Sequence, residues 1–260
     1  MLIIGKFKVL FRAILNYIEN RTLYLRLEYY FKGKTGIEIG GPSQIFSYQL
    51  PVYDRIKTLD GCNFSNNTIW EGAIEEGNSY NYHKAKIGKQ YILEASNLSN
   101  ISTAQYDFLL ASHCLEHCAN ALKTMKEWKR VVKPGGHLLL VLPDKEFTFD
   151  HKRDITNYNH LVQDAKNETD ERDLTHLDEI LRLHDLEMDK AAGNLNNFKI
   201  RSLQNYENRC LHHHVFDFDL MIDMARRCGL KVKYKKWLPP FHQVLIVQKP
   251  RAWLKDVYTK

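Results

Sequence analysis

From residue 35 onward, short apolar runs alternate with turn residues and stretches of helical period, and no other feature of the chain constrains its fold as strongly. Strands separated by connections of this length pair in parallel, because the connection is long enough to carry the chain back over the sheet. The expected strands cover residues 36–39, 56–59, 91–93, 107–111, 137–142, 231–237 and 244–248. After the fourth, Leu122, Met125, Trp128 and Val132 share one helical face, and Pro134-Gly135-Gly136 supplies a stop. No proline occurs between Pro143 and Pro239, and Leu174, Leu177 and Leu181 keep a helical period within charged sequence. Residues 144–210 therefore read as a mainly helical insertion at the C-terminal edge of the sheet, where open α/β folds bind ligands. The division this predicts is N-terminal helices (1–34), a ligand-binding sheet core (35–143), the insertion as an acceptor lid (144–210), the rest of the sheet (211–250) and a basic tail (251–260).

With 260 residues the chain can bury a full core in one domain that carries an insertion. Its formal charge is 37 − 31 = +6, unevenly spread. Residues 1–35 hold seven bases against two acids, residues 226–260 ten against one, and residues 164–190 four against ten. Such a split disfavours a continuous nucleic-acid-binding face. Phe7, Leu10, Phe11, Ile14, Leu15 and Ile18 form one stripe of an amphipathic helix. Core packing is the ordinary use of such a stripe, and its basic surroundings also suit peripheral contact with a membrane. Residues 21–31 read as a second helix.

The five cysteines (Cys62, Cys114, Cys118, Cys210, Cys228) are odd in number and lack CxxC spacing, which indicates neither a disulfide framework nor a zinc ribbon. Apolar runs fall short of the roughly 18 residues that a membrane span requires. Lys6, Lys8 and Arg12 interrupt the one candidate signal segment. These features point to a soluble cytoplasmic protein.

Thr35-Gly36-Ile37-Glu38-Ile39-Gly40-Gly41-Pro42-Ser43 reads as a buried strand ending in a Gly-Gly turn, where a ligand can approach the backbone closely. Asp60 lies 22 positions after Glu38, at the end of the next expected strand, where a carboxylate can accept ribose hydroxyls. Together with LEASNLS at 93–99, YDFLLASHCLEH at 106–117 and LKTMKEWKRVVKPGGHLLLVLP at 122–143, these segments resemble the class I S-adenosylmethionine-dependent methyltransferases, of the type with a small-molecule methyltransferase domain. The resemblance covers about residues 35–143, with a weaker echo through 211–248.

It implies a Rossmann-like, doubly wound, seven-stranded sheet with an antiparallel last strand, and S-adenosylmethionine as cofactor. It also implies roles for particular residues. Glu38 is the acid of the first motif, Gly40 and Gly41 form the turn under the cofactor's amino-acid part, and Asp60 holds the ribose. Glu94 and Ala95 flank the adenine, and Ser112 and His113 line the methyl-donor pocket. Pro42-Ser43 departs from the usual third glycine of the first motif.

An alcohol keeps its proton at neutral pH, so methylating a hydroxyl calls for a nearby base. His113, Asp150 and His151 are the catalytic candidates, and His212, His213 and His214 enter after the insertion. Thr148-Phe149-Asp150-His151 with Arg153 resembles a pattern of one subgroup of the family, in the region where acceptors bind. The leading expectation is methylation of a hydroxyl or amine on a small molecule or glycan, with no metal. One alternative is metal-dependent RNA ribose methylation: His113, Glu116 and His117, with a histidine from 212–214, resemble the metal site of small-RNA 3′-end 2′-O-methyltransferases. The acidic middle segment weighs against that substrate. Another is a cofactor-binding scaffold without transfer. A dehydrogenase is disfavoured because the first turn lacks the GxGxxG that receives a pyrophosphate. The sequence leaves the oligomeric state open.

Overall fold

The computed structural model describes residues 21–251. The apolar stripe from Phe7 to Ile18 and the basic tail beyond Arg251 lie outside the described residues. Residues 21–31 form helix α1, followed by β1 (Thr35–Ile39) and β2 (Thr58–Asn63). A small hairpin of β3 (Asn67–Thr68) and β4 (Gly72–Ala73) leads to β5 (Gly77–His83) and β6 (Lys86–Ile92). Then come β7 (Tyr106–Ser112), α2 (Ala121–Val131) and β8 (Val132–Pro143). Helices α3 (Tyr158–Asn167), α4 (Leu177–Leu183), α5 (Leu195–Leu203) and α6 (Asn205–Asn208) lie within residues 144–210. Helix α7 (Phe218–Arg227), β9 (Lys231–Leu238) and β10 (His242–Gln248) complete the sheet.

The sheet order is β5-β6-β2-β1-β7-β8-β10-β9, with β6 to β8 parallel and β10 antiparallel to both its neighbours. This is the expected doubly wound α/β order with an antiparallel last strand. It has eight strands rather than seven, because β5 folds back on β6 as an antiparallel hairpin and extends the edge. Strands buried on both faces read as nearly continuous apolar runs. In β7, Phe108 and Leu110 face one layer while Leu109 and Ala111 face the other.

Two expectations need correction. The second strand is not residues 56–59 but Thr58–Asn63, so Asp60 lies inside it rather than at its end. The β1–β2 and β2–β6 connections carry no α-helix; the first holds a single 3₁₀ turn and the second the β3–β4 and β5 hairpins. Cover for that face comes instead from α1 (Leu23, Leu27, Phe31) and from Phe46, Leu50, Val52, Tyr53 and Ile56 of the first loop. Helices α2, α3 and α7 cover the opposite face through Met125, Trp128, Leu161, Met221 and Met224. Asn120 caps α2 by accepting from the Lys123 N–H at 3.0 Å, and the chain passes from α2 straight into β8, which contains Pro134-Gly135-Gly136. Among the described residues, no helix is long and apolar enough to cross a membrane.

Candidate active site

The carboxyl ends of β1, β2, β6, β7 and β8 open into a cavity of about 710 Å³, within the size range of small-ligand sites. Its floor is Ile39, Gly40, Asn63, Leu93 and Ser112, and the insertion closes it with Phe147, Phe149, Met188 and Arg201. Apolar and aromatic walls with a few polar groups are what a site for an uncharged or amphipathic acceptor requires.

Glu38 does not line this cavity. Its carboxyl is fully buried beneath the turn, accepting from Tyr53 Oη at 2.6 Å, Tyr80 Oη at 2.8 Å and the Ser43 N–H at 3.0 Å. Burial pushes it up to about 7 against the pull of those donors. Gly41 sits directly over it: a Cβ there would lie 2.3 Å from the carboxyl carbon and 2.4 Å from Tyr80 Oη. Glu38 thus shapes the turn from below, while Gly40 faces the cavity and Gly41 does not.

Asp60 is also turned away. Its oxygens accept from the Lys89 N–H at 2.9 Å and from Tyr106 Oη at 2.7 Å, and it does not line the cavity. The residue at the end of β2 that does line it is Asn63, whose Nδ2 donates to Gly41 O at 3.0 Å. Sequence reasoning missed Asn63, because Asp60-Gly61 carries the stronger turn signal. Glu94 and Ala95 do line the cavity. The Glu94 carboxylate is paired with Arg209, whose guanidinium also lies 4.8 Å from the Phe64 ring centroid.

Ser112 and His113 lie in the cavity wall. His113 has φ +50°, uncommon for a residue with a Cβ, and its Nε2 is 2.9 Å from His242 Nδ1. Burial, with His242 and His212 nearby, pushes it down to about 3. A group so reluctant to take a proton is a weak base at neutral pH.

The other two catalytic candidates lie outside the cavity. His151 faces Asp185 at 2.8 Å on the insertion's surface. Asp150 is buried behind His212, holding its Nδ1 at 2.5 Å, and Arg153 binds both Asp150 Oδ1 at 3.0 Å and the His212 carbonyl at 2.9 Å. The cavity-facing member of this set is His212. Burial lowers its proton affinity, but the charge and hydrogen bond of Asp150 outweigh that, and the net shift is upward. Asp150, in turn, is disfavoured as a charge by burial and held below the usual carboxylate range by His212 and Arg153. The signal for this dyad was in the sequence, as Asp150 and the His212-His213-His214 run, but their pairing spans 62 positions.

Glu116 and His117 follow β7 close by. Glu116, His117 and His212 each bring one possible ligand atom within 4.8 Å of the others. His117 Nδ1 is tied to Leu211 O at 3.1 Å. Both Glu116 oxygens are buried without a hydrogen-bond partner, and burial pushes the carboxyl up to about 7.

Residues 50–140 match the profile of the methyltransferase-domain family. The sheet order above is the one expected of the class I S-adenosylmethionine-dependent methyltransferase fold. Among curated proteins none matches the chain in sequence. Among solved structures it is similar to S-adenosylmethionine-dependent methyltransferases of Methanosarcina mazei (16% identity, TM-score 0.49, 87% of this chain and 97% of that one) and Mesorhizobium loti (8%, 0.49, 84% and 91%). It is also similar to the 1,6-didemethyltoxoflavin-N1-methyltransferase of Burkholderia thailandensis, solved with 1,6-didemethyltoxoflavin and S-adenosylhomocysteine bound (9%, 0.47, 89% and 76%).

Proposed function

We propose that this chain is an S-adenosylmethionine-dependent methyltransferase that methylates a hydroxyl group of a small molecule or glycan, with His212 as the base. The observation that carries this reading is the Asp150–His212 pair, in which Asp150, itself held by Arg153, fixes Nδ1 of an imidazole that lines the cavity. S-Adenosylmethionine brings a methyl group on a sulfonium centre, so the protein's part is to align the acceptor, exclude water and receive one proton. Bound here, S-adenosylmethionine would supply the methyl group, its sulfur–carbon bond breaking as the acceptor oxygen bonds to the methyl carbon so that S-adenosylhomocysteine is left, and His212 would take the hydroxyl proton.

Asn63 and Glu94 are the polar side chains best placed for the cofactor's ribose and adenine, with Gly40 and Ala95 giving backbone access. Asn63→Ala should weaken S-adenosylmethionine binding by about 1 kcal/mol, the usual value of one neutral hydrogen bond. Asp60→Ala should leave affinity nearly unchanged; the reverse ranking in a calorimetric titration would return the ribose to Asp60.

The acceptor class is tested by incubating the enzyme with methyl-labelled S-adenosylmethionine and a panel of alcohols, sugars, amines and short RNAs. Label on hydroxyl oxygen of non-nucleic-acid acceptors is the expected result. Transfer confined to amines or RNA would refute the proposal. A second reading rests on the Glu116 carboxyl, which has no hydrogen-bond partner and only His113 Nδ1 at 3.5 Å: a divalent cation held by Glu116, His117 and His212 would polarise the acceptor oxygen, and His212 would then be a ligand rather than the base. Loss of turnover on chelation, restored by Mn²⁺ or Mg²⁺, would select it.

A further inference from the structure

Outside the cavity, a second cluster joins segments far apart in the chain. His160 lies in the first turn of α3, Asp164 one turn later, His176 immediately before α4, and His214 in the extended run that leads to α7. One nitrogen from each of the three imidazoles lies within 4.8 Å of those of the other two. The Nε2 atoms of His160 and His176 face each other at 2.9 Å, and Asp164 Oδ2 is 3.3 Å from His160 Nε2 and 3.7 Å from His214 Nε2. His214 and Asp164 are 1% and 6% exposed, yet His214 Nδ1 and Asp164 Oδ2 have no hydrogen-bond partner. Buried polar atoms in a native fold are ordinarily satisfied, and a cation would satisfy both.

We propose that His160, Asp164, His176 and His214 bind a structural zinc ion that fastens the insertion to the sheet domain. Three imidazoles and a carboxylate form a donor set suited to tetrahedral zinc, whose bonds of about 2.1 Å set neighbouring ligand atoms roughly 3.4 Å apart. The 2.9 Å between the His160 and His176 nitrogens and the 3.3 Å from His160 Nε2 to Asp164 Oδ2 lie close to that value, and His214 offers its unpartnered Nδ1. The outer shell is in place as well. His214 Nε2 is bound to the Ala119 carbonyl at 3.1 Å, and Thr169 Oγ1 donates to Asp164 Oδ1 at 3.4 Å.

The insertion has a physical need for such a fastening. Its own apolar cluster consists of Ile180, Ala192, Phe198 and Leu211, and ten acids oppose four bases across residues 164–190. Small cores commonly rely on a metal or a disulfide, and the cysteines here are all free. The ion would tie α3 and the start of α4 to the run that delivers His212 to the cavity. Imidazole donors favour zinc over magnesium or calcium.

The test uses the untagged full chain, equilibrated with zinc and freed of excess by dialysis, with metal content read by mass spectrometry. A single zinc ion per chain is expected in the wild type and in Glu116→Gln, with a raised unfolding midpoint in both. His160→Gln/His176→Gln should bind zinc at least about 100-fold more weakly. It should lose the thermal response while still binding S-adenosylmethionine, which shows that it is folded. Zinc retained by the double variant, zinc lost only in Glu116→Gln, or a wild type that takes up none would each overturn the proposal. Should the double variant fail to fold, cobalt decides: intense visible bands of tetrahedral cobalt in both the wild type and Glu116→Gln support the site, and their absence refutes it.

Discussion

Glu38→Ala should destabilise the protein by about 3 kcal/mol and lower its unfolding midpoint by roughly 6 °C or more, as read in a thermal or urea melt. The substitution strips the acceptor from two buried hydroxyls, Tyr53 Oη and Tyr80 Oη, and an orphaned buried donor costs about 1–3 kcal/mol. Ser43 N–H is spared, because it also donates to Tyr53 Oη at 2.9 Å. Cofactor affinity should fall with stability, since the Gly40-Gly41 turn rests on this carboxyl. The pH dependence has a definite sign. Folding raises the Glu38 carboxyl from 4.5 to about 7, so the folded chain holds a proton that the unfolded chain releases. Its contribution is therefore full below pH 4.5 and is lost as pH rises through about 7. Glu38→Gln should flatten that part of the stability curve; an unchanged curve would mean that Glu38 stays ionised when buried.

His212→Ala should reduce the methyl-transfer rate by about 10²–10⁴-fold with little change in S-adenosylmethionine affinity, the usual range for losing a positioned base. Asp150→Asn should reduce kcat less, and should move the rising limb of the pH–rate profile downward. In the wild type the rate must climb as His212 loses its proton. That proton is held above the ordinary value of 6.5 by Asp150, so the climb falls on the alkaline side of 6.5. Without the Asp150 charge, burial and Arg153 lower it and the weaker pull of Glu116 is all that opposes them. A profile unchanged in Asp150→Asn would remove His212 from the proton path.

The sheet was legible because both faces of β1, β7 and β8 are buried, which forces continuous apolar runs whose length and turn residues identify them. The second strand was misplaced for a physical reason. Asp60-Gly61 reads as a turn, but Gly61 is there to admit a ring: a Cβ would lie 2.1 Å from Tyr80. Tyr80 reaches it from an added edge strand announced only by the short Tyr80-Asn81-Tyr82 alternation. Misplacing that strand by a few residues exchanged Asn63 for Asp60 in the candidate ribose position. The acceptor side was legible only in composition. Asp150, Arg153 and His212 were visible as polar residues near one sheet edge, but which of them faces the cavity depends on contacts across the whole insertion, which no local periodicity encodes.

The reversed direction of β10 affects how the acceptor wall can change. In a wholly parallel sheet, every strand would finish at the reactive edge and hand over to a long crossover that carries much of the packing. Here β10 starts at that edge instead, so the tight turn of residues 239–241 hangs beside the cavity, with Phe241 in its wall and His242 against His113. A tight turn between two antiparallel strands can vary in length and side chain without disturbing either strand's register. On the proposed function, acceptor preference can thus drift at this corner while the end of the cavity built on β1 and β2 stays fixed.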